Sequence, residues 1–237
     1  MKQYNQPLSG NEMPRFGGIA SMVRLPEQRG ADGLDVALDG VPLDTGTSNR
    51  NGARYGPREI RSQSVLVRPY GMATRAAPFD SFQVADVGDV PLNAYNLDKS
   101  LGIIENHFDD LLAGGAITVA LGGDHTVSLP ILRAQARVHG SLALVHVDAH
   151  ADTNDHMFGE TVTHGTIFRR AIEEQLVDPA HMFQIGLRAT GYSAEDFDWA
   201  RQRGVRVVPA EECWYKSLAP LMAEVRQAIG PDRPLYL

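Results

Sequence analysis

Short apolar runs alternate with segments of helical periodicity along nearly the whole of this chain, which restricts the folds open to it. The runs fall at 36–41, 82–87, 116–121, 142–147, 182–187 and 205–208. Helical stretches lie between or after them at about 97–112, 126–138, 166–175, 194–203 and 217–229. In the first stretch Leu101, Ile104, Phe108, Leu111 and Leu112 recur at helical spacing. Pro57 opens a further helix, because its fixed backbone suits a first helical position. Runs that are apolar throughout read as strands buried on both faces. Parallel neighbours need long crossovers, and the helical stretches supply them. The expected fold is therefore α/β, a three-layer αβα sandwich around a mostly parallel sheet. Residues 233–237 read as the start of one more strand that is cut off. Residues 1–30, rich in Pro, Gly and polar groups, read as an arm lying on the domain surface or on a neighbouring subunit. The rest, 31–237, reads as one domain, long enough for a sizeable core.

Charge narrows the partners. Lys and Arg number 22 against 29 Asp and Glu, a net charge of −7. A nucleic-acid partner would want a basic face, so none is expected, whereas a small cationic substrate remains compatible. Cys213 is the single cysteine, so no intramolecular disulfide can form, which fits a reducing compartment. It follows Glu211 and Glu212 and reads as structural rather than nucleophilic. The N-terminus has no continuous apolar core of a signal peptide, and no run approaches the length of a membrane span. A cytoplasmic location with no membrane partner is expected.

Two of the runs end in metal-ligand residue types. The run 116–120 leads into Leu121-Gly122-Gly123-Asp124-His125, and 141–145 leads into His146-Val147-Asp148-Ala149-His150-Ala151-Asp152. In extended backbone, alternate side chains share a face, so Asp148, His150 and Asp152 would point to one spot. Acids crowded there desolvate poorly unless a cation sits among them. A divalent metal is the simplest such cation, and in open parallel sheets ligands gather outside the carboxyl ends of strands. The competing reading is ordinary turn chemistry in an Asp-rich loop. His146, one alternation earlier, reads as buried and structural. Asp124 reads as a carboxylate that orients the ligand loop. His107, His139 and His181 have no constellation around them.

These words, with His164-Gly165-Thr166, resemble the ureohydrolase family: arginases, agmatinases and related guanidino-acid hydrolases. Gly40-Val41-Pro42-Leu43-Asp44, the stretch 54–61 and Gln184-Ile185-Gly186-Leu187-Arg188 extend the resemblance over nearly the whole chain. The segments 154–160 and 164–171 are nearer to agmatinases and guanidinobutyrases than to arginases. The resemblance implies an arginase/deacetylase-like sandwich and two Mn2+ ions. His125, Asp148 and Asp152 would hold one ion, and Asp148 and His150 the other, with Asp148 bridging. The family completes both ions with an Asp-x-Asp pair after a strand resembling 233–237, where this sequence stops. The second site is then expected to be incomplete, metal binding weak, and the chain a portion of a longer protein. A short protein completed by another chain, or a non-catalytic family member, are the rival readings. A deacetylase-type enzyme with one zinc is disfavoured by the spacing around His125 and His164.

The implied reaction is hydrolysis of a guanidino compound to urea and an amine. Agmatine giving putrescine is the first choice, and 4-guanidinobutyrate giving 4-aminobutyrate the second. A guanidinium carbon is a poor electrophile, and a divalent metal compensates by acidifying water. His164 matches the family histidine that would protonate the leaving amine; its bland role would be to cap the helix starting near Thr166. By resemblance, the loop carrying Asn154, His156 and Met157 lines the substrate tail, although Met157 and Phe158 could be packing residues alone. Asp155 and Glu160 would suit an amine tail, and Asn154 and His156 a carboxylate. A homo-oligomer is also implied.

Overall fold

Near-continuous burial along the central strands means that both faces of each sheet are covered. The computed structural model describes residues 4–188, 190–193 and 196–237, and these group into two compact units, Met1–Val127 and Ser128–Leu237.

In the first unit, β1 (Val36–Val41), β2 (Val84–Asp89) and β3 (Ile117–Gly122) form a parallel sheet in the order β2-β1-β3. Ala37 and Ala85 turn to one face and pack against Leu111 of α2 (Leu97–Ala113). The Asn96 side chain caps α2 by accepting the Lys99 amide at 2.9 Å. On the other face Val84 packs with Val23 and Leu25 of the arm, beside Val36 and Leu38. Arg61 of α1 (Gly56–Ser64) reaches that face and forks onto Asp86, Nε to Oδ2 at 2.7 Å and Nη2 to Oδ1 at 2.9 Å. The arm lies along β2: the Gln28 amide donates to Asp86 O at 2.9 Å, and the Asp86 amide donates to Pro26 O at 3.2 Å. Strand β3 is an edge of this sheet, with Ile117 66% and Val119 44% exposed.

In the second unit, β4 (Leu142–Val147), β5 (Val177–Leu187), β6 (Arg206–Pro209) and β7 (Leu235–Tyr236) form a parallel sheet in the order β6-β5-β4-β7. Leu142 and Leu144 face a core built with Leu129 and Leu132 of α3 (Ser128–His139) and Ile167, Phe168 and Ala171 of α4 (Ile167–Glu173). Ala200 of α5 (Asp198–Arg201) joins that core. Ala143 and Val145 face the opposite side, against Val225 and Ile229 of α6 (Ala219–Ile229). Cys213 is a half-buried free thiol packed on this second core. Each unit thus has helices or arm on both faces of a parallel sheet, as the apolar runs required.

Two elements differ from the sequence reading. Strand β5 begins at Val177, five residues earlier than expected, because Leu142 pairs with Val177 across an irregularity in register. Helix α5 is only Asp198–Arg201; Ala194 and Glu195, where a helix was expected to start, lie outside the described residues. Among the described residues no helix is long and apolar enough to cross a membrane.

Candidate metal centre

In the first unit β3 runs out at Gly122, and the chain turns through Gly123 and Asp124 into a 3-10 turn, His125–Val127. Gly123 has φ +45°, and a Cβ there would lie 2.4 Å from Val41 O and 2.7 Å from Leu43 O. Backbone on both sides leaves no room for any other residue. Asp124 is 5% exposed. Its Oδ1 accepts the Thr126 amide at 2.8 Å and its Oδ2 the Gly46 amide at 2.9 Å, while its own amide donates to Leu43 O at 2.7 Å. Asp124 therefore fixes the turn that carries His125 through backbone amides.

Asp44 stiffens the neighbouring loop. It is buried, accepts Arg54 Nε at 2.6 Å and the Gly52 amide at 2.7 Å, and the Arg54 hydrogen bond holds its carboxyl below the usual range.

In the second unit β4 ends at Val147, and the ligand-type residues follow in irregular backbone. The strict alternation expected for Asp148, His150 and Asp152 stops there. Asp152 is left-handed, with φ +50°, and 8% exposed, whereas the His150 side chain is 73% exposed. Four bonds pin this loop. The Asp148 amide donates to Ile185 O at 3.1 Å, and the Arg188 amide donates to Ala149 O at 2.9 Å. Gln184 Nε2 donates to Ala151 O at 2.6 Å, and the Phe168 amide donates to Asp152 O at 3.1 Å.

Asp148 stands between two imidazoles. Its Oδ2 lies 3.4 Å from His146 Nε2 and its Oδ1 lies 3.6 Å from His150 Nδ1. The His150 amide also donates to Oδ1, at 2.9 Å. His146 is buried, as expected, with its ring centroid 4.4 Å from that of Phe168. Gln184 Nε2 sits 3.2 Å from His146 Nδ1. An amide N–H can only donate, so Nδ1 accepts and Nε2 is the ring nitrogen that faces Asp148. His146 thus lies against the carboxylate as well as being buried.

The loop beyond is held by close packing. Asn154 donates its amide and its Nδ2 to Gly165 O, both at 3.1 Å. A Cβ on Gly165 would lie 2.6 Å from Met157 Sδ, so Met157 packs directly over the turn carrying His164. His164 is half-buried just ahead of α4, whose N-cap is Thr166. His156 is 64% exposed beside Asp155, Nδ1 to Oδ2 at 3.7 Å. Asp155 accepts Arg170 Nη2 at 3.0 Å and has Arg169 Nε at 3.3 Å. These arginines, Arg170 first, hold its carboxyl below the usual range.

The donor set fits a hard divalent cation: an imidazole and two carboxylates within five residues of a pinned loop, one of the acids buried. Comparison with known proteins decides the family. Residues 34–237 match the model of the arginase family. This chain belongs to the arginase family. It is 62% identical over 239 residues to the guanidinobutyrase of Pseudomonas aeruginosa, covering 100% of this chain and 75% of that protein. It is 52% identical over 235 residues to the mitochondrial agmatinase of Gallus gallus, covering 99% of this chain and 69% of that one. Among solved structures, the proclavaminate amidino hydrolase from Streptomyces clavuligerus superposes with a TM-score of 0.88 at 39% identity, covering 94% of this chain and 74% of that one. The parallel α/β fold of this arginase-family chain is thus the one its apolar runs called for.

Proposed function

We propose that this arginase-family protein hydrolyses a guanidino compound to urea and an amine, with manganese as the cofactor. The observation that carries the proposal is Asp148, held between His146 and His150 in a loop pinned at four backbone points. Asp148, His150 and Asp152 would hold the cation, and family resemblance would add His125 as a further ligand and a second ion. Bound there, a divalent cation supplies Lewis-acid charge and acidifies water towards neutral pH. The chain's own residues do the rest. Gln184 and His146 orient Asp148. As the carbon–nitrogen bond to the leaving amine breaks, that nitrogen needs a proton, and an imidazole nitrogen of His164 delivers it. Asn154, His156 and Met157 line the tail of the substrate.

For the tail, the loop favours a carboxylate. Asp155 is engaged by Arg169 and Arg170, so it offers little to an amine, while Asn154 and His156 stay exposed beside it. Similarity to a guanidinobutyrase supports the same choice, and similarity to an agmatinase keeps agmatine as the second reading. Urea release with manganese present is the test, with 4-guanidinobutyrate expected to turn over faster than agmatine. The reverse order would overturn the carboxylate reading, and no urea from either would overturn the ureohydrolase reading.

A further inference from the structure

The first unit holds a polar cleft of about 360 Å³ between the arm and the chain that follows α1. Arg15, Arg24 and Arg68 all line it, and none of its lining residues is acidic. This concentration of positive charge stands in a chain whose net charge is −7. Among the described residues no carboxylate lies within ion-pair distance of any of the three guanidinium groups.

Arg24 is the buried charge of this cleft. It is 5% exposed, and Nη1 and Nη2 both donate to one neutral acceptor, Met13 O, at 3.0 Å. A carbonyl satisfies hydrogen bonds but does not neutralise a buried charge, and a buried cation without a counter-charge is costly. Arg15 lays its guanidinium over Gly10, where a Cβ would meet Arg15 Cζ at 2.9 Å. Only a glycine lets that group lie so close to the arm.

The backbone gives a second, independent observation. Val23 has φ +47° and Arg24 φ +60°, both left-handed, and Val23 is β-branched. That conformation persists only where surroundings over-determine it, and it is commonest at binding sites. Here the Val23 amide donates to Ser64 Oγ at 2.7 Å, and the Leu8 amide donates to Arg24 O at 3.1 Å. The strain keeps Arg24 pointed inward, at the wall shared with Arg15 and Arg68.

We infer that this cleft is a binding site for a small organic carboxylate with a short hydrocarbon body. A guanidinium fork matches a carboxylate bidentately and completes the charge that Arg24 lacks. Beside the polar Ser9 and Asn11, the wall carries an apolar stretch from Leu8, Val23, Val65 and Val67. A bare inorganic anion would leave that wall against water, whereas a branched alkyl chain covers it.

Isothermal titration with 4-methylpentanoate tests the site, with inorganic phosphate as the comparison anion. The intact protein should bind the carboxylate saturably and more tightly than phosphate. Arg15 and Arg68 are surface residues, so the double variant R15Q/R68Q should keep its melting temperature and bind roughly tenfold or more weakly. D148N, altered in the second unit, should bind the carboxylate as the native chain does. Absence of saturable binding, equal affinity in R15Q/R68Q, loss of binding in D148N, or tighter binding of phosphate would each overturn the assignment.

Discussion

Gln184 governs more of the candidate centre than any residue that would touch a metal. It is fully buried in β5, yet one amide nitrogen serves both His146 Nδ1 and Ala151 O. Replacing it by Leu keeps the volume and removes both bonds. Outer groups that orient metal ligands typically carry about 10- to 100-fold in affinity. Q184L is therefore expected to weaken manganese binding by that order while the far-ultraviolet circular dichroism stays native; unchanged affinity would detach His146 from the centre. Asp148→Ala should be the most damaging single change to urea release, because it removes the carboxylate that both imidazoles face. Turnover in D148A equal to the native rate would refute its assignment. His107 shows what a linear reading misses. Its Nε2 bonds Asp39 Oδ1 at 2.9 Å, across 68 residues of sequence, and no local pattern announces the pair. The Asp39 hydrogen bond raises the His107 pKa above the ordinary 6.5. A histidine with a raised folded pKa adds stability that is complete below the unfolded value and is lost as pH rises through the folded one. The urea midpoint of the native protein should therefore decrease as pH rises above the ordinary histidine value of 6.5, and H107Q should flatten that part of the profile. A native midpoint that rises over the same range would contradict the pairing.

At the scale of elements, the strands and helices whose apolar faces are continuous were legible. Strand β1 spans 36–41 and β4 spans 142–147, as read, and α2 ends one residue beyond expectation. The misreadings have local causes. Strand β5 starts in Val177-Asp178-Pro179, which looks like a loop, and Asp178 does bond Ala180 N and His181 Nδ1 there at 3.0 and 2.7 Å. Pairing with β4 overrides that signal. The ligand loop was found by composition, but its geometry was not, because the left-handed turn at Asp152 breaks the period of two. The loop over α4 carries a prediction of its own. Arg170 holds Asp155 at 3.0 Å and Glu173 also at 3.0 Å, so R170Q would release Asp155 to meet an amine. The ratio of kcat/KM for 4-guanidinobutyrate over agmatine should fall by roughly tenfold, a change of the size pocket contacts usually give. An unchanged ratio would show that Asp155 does not face the substrate tail.

For the whole molecule, the sequence conveyed a parallel α/β architecture because α2, α3, α4 and α6 each turn apolar side chains to a sheet, and each unit repeats that plan around its own sheet. What it could not convey is how much of the fold's stability waits on a cation. Acids and imidazoles gathered in a pinned loop resist desolvation until a positive charge joins them. A ligand that binds only the native state stabilises it by mass action, by about 2.7 kcal/mol at a hundredfold excess over the dissociation constant. Adding manganese should accordingly raise the melting temperature in a concentration-dependent way, and a chelator should reverse the rise. The shift should shrink in H150A, whose exposed side chain can be removed without opening a core. Magnesium should give a smaller shift, since it takes imidazole ligands poorly compared with manganese. If manganese left the native melting temperature unmoved, or moved H150A by the same amount, the loop after β4 would be a structural turn and its acids ordinary surface chemistry.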